Sequence, residues 1–63
     1  MNYFYKKNGS FILCVSTYTT PEEIAEYVPK GYQFWLYNPG EDIEMIYNTK
    51  ECDGIGTGLD IEV

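Results

Sequence analysis

Residues 2–18 read NYFYKKNGSFILCVSTY. Asn8-Gly9 stands between two runs rich in aromatic and β-branched side chains, and both residues tolerate the positive φ of a type I′ turn. A hairpin follows, with Asn2–Lys7 as one strand and residues 11–18 as its return. A two-residue loop sets the register: Lys7 faces Ser10, Lys6 faces Phe11, Tyr5 faces Ile12, Phe4 faces Leu13 and Tyr3 faces Cys14. Phe4, Phe11, Leu13 and Val15 then share one face, and Tyr3, Tyr5, Ile12 and Cys14 share the other. Both faces are apolar.

Outward from the hairpin, Thr20-Pro21-Glu22-Glu23 is a helix start. Thr20 is placed to cap free N–H groups, Pro21 suits the first helical position, and Glu23 completes a capping box. Pro29 stops the helix after about eight residues. Ile24, Ala25 and Val28 are its apolar members, with Tyr27 beside them. A helix that short needs a sheet to dock on. Pro29-Lys30-Gly31 turns the chain into a strand over residues 32–38, whose alternate sets are Tyr32, Phe34, Leu36 and Gln33, Trp35, Tyr37. Asn38-Pro39-Gly40-Glu41 suits a type II turn. Residues 43–47 are expected to form a fourth strand, with Ile43, Met45 and Tyr47 on one side. Residues 48–58 read as loop, with a tight turn at Asp53-Gly54. Residues 59–63 alternate as a short last strand.

The expected fold is one α+β domain over residues 1–63: a small, mainly antiparallel sheet in β-β-α-β-β order, with one short helix on one face. One two-turn helix cannot cover two apolar sheet faces, so the rest is expected to be covered by a second copy, a target, or the C-terminal segment folding back.

Composition narrows the function. The 63 residues hold ten acids, four lysines, no histidine, seven Tyr, three Phe and one Trp. No apolar run approaches the roughly 20 residues of a membrane span. The opening residues lack a basic-then-aliphatic leader pattern, which predicts a cytoplasmic chain. The residues offer no zinc set and no cofactor motif. Residues 1–40 balance to zero, so the whole net charge of −6 falls in residues 41–63. Such a field repels nucleic acid and anionic lipid and steers basic partners.

Individual motifs add little chemistry. Cys14 and Cys52 leave a disulfide or two free thiols open, and the absence of histidine argues against a thiol nucleophile. Gly54-x-Gly56-x-Gly58 lacks the lysine of a phosphate loop and lies among acids, so it reads as a loop. Glu41, Asp42 and Glu44, or Glu51, Asp53 and Asp60, lack calcium-loop spacing. Base stacking on Tyr3, Tyr5, Tyr32, Trp35 and Tyr37 would need a basic surround.

Glu22 or Glu23, Ala25, Tyr27-Val28-Pro29, Gly31, Tyr32 and Pro39 make the stretch 20–39 resemble the middle of a small phage-encoded inhibitor of bacterial RNA polymerase. That family is similar in size and in strand, strand, helix, strand order. Where it carries arginines on the following strand, this chain has Leu36 and Asn38. In size and acidity the chain is also similar to phage-encoded DNA mimics that block uracil-DNA glycosylase or CRISPR nucleases.

The expected function is that of a non-catalytic inhibitor occupying the basic groove of a nucleic-acid-handling protein. Glu41, Asp42, Glu44, Asp60 and Glu62 are its charge candidates. Trp35, Tyr37, Tyr3 and Tyr5 are its aromatic anchors. The alternative is a structural or assembly module that forms a homodimer or larger homo-oligomer through its apolar sheet face.

Overall fold

The computed structural model describes residues 1–17 and 20–58. Strands β1 (Asn2–Lys7) and β2 (Ser10–Val15) form the hairpin, followed by helix α1 (Pro21–Ala25), strand β3 (Gln33–Tyr37), helix α2 (Ile43–Thr49) and strand β4 (Gly54–Ile55). The strands form one antiparallel sheet in the order β2-β1-β3-β4.

The hairpin has the expected register at every pair from Lys7–Ser10 to Tyr3–Cys14. Its turn has φ of 52° at Asn8 and 84° at Gly9, both in the region a type I′ turn requires. β3 lies antiparallel on the other side of β1, with Phe4 opposite Trp35 and Tyr5 opposite Phe34. β2 and β3 therefore run parallel with β1 between them, and α1 is the crossover that must pass over one face. Thr20 caps it: its hydroxyl oxygen accepts from the Glu23 N–H at 3.3 Å and donates to the Glu23 carboxylate at 3.1 Å. Ile24, Ala25 and Val28 pack on Tyr3, Tyr5 and Phe34, with Ile12, Cys14, Tyr32 and Leu36 around them.

The chain continues differently from the sequence expectation at residues 43–47. They belong to α2, not to a fourth strand. Asp42 caps that helix, accepting from the N–H groups of Glu44 at 3.0 Å and Met45 at 3.3 Å. Ile43, Ile46 and Tyr47 stand at i, i+3 and i+4, so they share a helical face. All three are half-buried, whereas Met45, inward in a strand, is 59% exposed. Among the described residues two short helices, not one, accompany the sheet.

α2 supplies the cover that the expected architecture lacked. Trp35 lies parallel on Phe4 at 5.4 Å, and the Tyr47 ring closes on Trp35 at 4.9 Å and on Phe11 at 5.4 Å. Phe4 is fully buried and Trp35 is 5% exposed. The apolar sheet faces are thus covered from within a single copy over β1 and β3, and the open aromatic face expected as an oligomer contact is closed there.

Asp53-Gly54 does not form an isolated tight turn, because Gly54 enters β4 opposite Phe34. The glycine-rich segment is a packing element. The Thr57 N–H donates to the Ala25 carbonyl at 2.8 Å and the Gly58 N–H to the Val28 carbonyl at 3.0 Å. The Ala25 carbonyl, which also accepts the Val28 N–H at 3.3 Å, and the Val28 carbonyl beyond α1 are thereby tied to this segment. A Cβ on Gly56 would run into the Pro29 and Val28 carbonyls, so the backbone approaches this closely only as glycine. Cys14 and Cys52 are free thiols. The strand expected at residues 59–63 lies outside the described residues.

Candidate functional site

The candidate residues converge in part, at the end of β3. There Asn38-Pro39-Gly40-Glu41 makes the expected turn, with the Glu41 N–H donating to the Asn38 carbonyl at 3.1 Å and Gly40 at φ 96°. The Glu41 carboxylate reaches back to accept from the Asn38 N–H at 2.7 Å. One residue on, Asp42 caps α2, and Glu44 sits in its first turn, where the helix dipole favours a carboxylate. Glu41, Asp42 and Glu44 are all exposed. Glu41 lines a surface depression together with Met1, Leu36, Tyr37, Asn38 and Lys50. Tyr37 is half-buried, with its ring edge-on to Phe4 at 5.7 Å.

Lys50 is the only basic residue after position 40, and it is engaged. Its ammonium lies 3.0 Å from the Asp53 carboxylate and donates to the Leu36 carbonyl at 3.1 Å. Glu41, Asp42, Glu44 and Glu51 are exposed.

The remaining aromatic candidates are placed elsewhere. Trp35 is stacked beneath α2, and its indole N–H donates to the Lys50 carbonyl at 2.9 Å. Tyr3 and Tyr5 are 5% and 4% exposed, within the core under α1. Expecting these three rings on an open surface is corrected by their burial: alternation along β1 and β3 sends Tyr3 and Tyr5 to the α1 face and Trp35 to the α2 face. Of the four proposed anchors, Tyr37 alone retains partial exposure. Asp60 and Glu62 lie outside the described residues.

Two features escaped sequence reading. Lys6 holds its ammonium 4.6 Å from the Tyr47 ring centre and 5.3 Å from that of Phe11, a cation–π arrangement that depends on α2 crossing the sheet. The other is a set of exposed aliphatics: Leu13 at 56%, Val15 at 80% and Ile55 at 55%. The alternation of Leu13 and Val15 was readable and the absence of cover over them was not, while Ile55 was expected in a loop and lies in β4.

Among the described residues, no group of three or more His, Cys, Asp or Glu side chains is arranged to hold a metal ion. No helix there is long and apolar enough to cross a membrane. No family model, curated protein or solved structure matches the chain.

Proposed function

We propose that the chain is a non-catalytic, acidic protein-binding module of the inhibitor type. It presents Glu41, Asp42 and Glu44, with Tyr37 beside them, to a basic nucleic-acid-binding surface of another protein, as a DNA mimic does. One observation carries the reading: three exposed carboxylates fall within four consecutive positions, two of them anchored by backbone hydrogen bonds in a turn and a helix cap. Anchoring lowers the entropy lost on docking. With Trp35, Tyr3 and Tyr5 buried, the contact rests on charge more than on aromatic anchors, so its on-rate and affinity fall with added salt.

The test is titration of the purified chain against bacterial RNA polymerase, a uracil-DNA glycosylase and a CRISPR nuclease at several salt concentrations. Binding to one of them that competes with nucleic acid, and that weakens about tenfold or more on joint Glu41→Gln, Asp42→Asn and Glu44→Gln substitution, supports the proposal. Failure to bind any of them, or binding indifferent to both salt and the triple substitution, overturns it.

A further inference from the structure

The two edges of the sheet are finished differently. The β4 edge has a strand of two residues, and beyond it the Lys50–Asp53 pair occupies the backbone of Leu36. That edge is short and charged, two devices by which proteins block unwanted strand addition. The β2 edge has neither. Ser10–Val15 is six residues long and contains no proline, no bulge and no charged side chain.

Register identifies the outward groups. Ser16 donates its N–H to the Met1 carbonyl at 2.8 Å, which marks that pair as hydrogen-bonded. Alternation then turns Ser10, Ile12 and Cys14 towards β1, and turns the N–H and C=O groups of Phe11, Leu13 and Val15 outward. None of these three has a backbone partner across that edge among the described residues. Their side chains share the α2 face, and those of Leu13 and Val15 lie beyond the cover that α2 provides.

We propose that β2 pairs antiparallel with β2 of a second copy of this chain, about a two-fold axis at Leu13. The outward residues are spaced symmetrically around that position. Leu13 meets Leu13 of the other copy, and Phe11 meets Val15, giving about six backbone hydrogen bonds and one continuous sheet. The exposed aliphatic side chains of the strand are then covered cross-strand. Charge selects this edge for self-association. A chain of net charge −6 repels its own copy, but β2 holds no carboxylate and its neighbour β1 carries Lys6 and Lys7. Glu41 and Asp53 bond to Asn38 and Leu36, on the far side of β1 from the seam. The pairing is independent of the acidic-surface reading above.

Sedimentation equilibrium of the full chain, with amide hydrogen exchange resolved by residue, tests the proposal. A dimer is expected, with the Phe11, Leu13 and Val15 amides gaining protection as concentration rises. Leu13→Lys and Leu13→Glu each place like charges opposite one another at the axis and should weaken dimerisation about tenfold or more. Mixed together, the two variants should form a heterodimer, an outcome that also establishes that both fold. A native chain that stays monomeric up to about millimolar concentration, a dimer unaffected by either substitution, or a mixture that fails to pair would each overturn the seam.

Discussion

Asp53, immediately before β4, completes the hydrogen bonding of Leu36: its carboxylate accepts the Leu36 N–H at 2.7 Å. The same carboxylate holds the Lys50 ammonium, which donates to the Leu36 carbonyl. Two side chains thus do for Leu36 what another strand residue would do, offering one acceptor and one donor.

Replacing that acceptor leaves a partly buried N–H without a partner, so Asp53→Ala should cost about 1–3 kcal/mol. Asp53→Asn keeps an amide oxygen and should lose less. Lys50→Met should cost at most about 1 kcal/mol, because the Lys50 side chain is 45% exposed and solvent screens the pair. Urea denaturation of the three variants gives the order. Equal, near-zero losses for Asp53→Ala and Lys50→Met would remove the strand-surrogate role.

Trp35 is the single tryptophan and is 5% exposed, so its fluorescence reports the α2 face directly. Native emission should be blue-shifted and resist iodide quenching, and both properties should vanish on unfolding. Trp35→Phe keeps much of the stacking on Phe4 but strands the Lys50 carbonyl, for a cost of about 1–3 kcal/mol. Free quenching in the native chain would place Trp35 at the surface.

Gly56 and Gly31 separate steric crowding from backbone strain. Gly31 has φ 90° with open space around it, whereas a Cβ at Gly56 meets two carbonyl groups of the α1–β3 connection. Gly31→Ala should cost about 1–2 kcal/mol from its left-handed backbone alone. Gly56→Ala should cost about 1–3 kcal/mol or more from overpacking, and should loosen the Thr57 and Gly58 amides in hydrogen exchange. A harmless Gly56→Ala would mean that this segment does not pack on α1 as described.

Asp42 has two jobs that substitution separates. Asp42→Asn keeps a capping oxygen and should leave stability nearly unchanged, while Asp42→Ala should cost about 1 kcal/mol. Removing the charge should nonetheless weaken binding to a basic partner in both variants. Thermal melts beside low-salt titrations resolve the two effects, and an Asp42→Asn protein with full affinity would exclude Asp42 from the contact.

The acids of the candidate site were readable as charge, since Glu41, Asp42 and Glu44 crowd a turn signal at Pro39-Gly40. Their anchoring was not. Asp42 becomes a cap only when residues 43–49 turn helical, and that stretch carries two patterns at once: Ile43, Met45 and Tyr47 suit a strand, while Ile43, Ile46 and Tyr47 suit a helix. In seven residues neither periodicity outweighs the other. The aromatic candidates failed for a related reason. Alternation groups the side chains of one strand by face, but it says neither which face of β3 joins which face of β1 nor whether that face is wet.

Asn8-Gly9, the hairpin register and the Thr20 cap follow from the chain alone, because each depends on residues a few positions apart whose backbone preferences agree. Contacts between distant segments decided the rest. Phe4, Phe11 and Trp35 offered an apolar floor on which Tyr47 could settle, and burying those rings favours helix over strand in a segment whose own propensity is divided. That one choice closed the face holding Trp35 and left Leu13 and Val15 at the open edge.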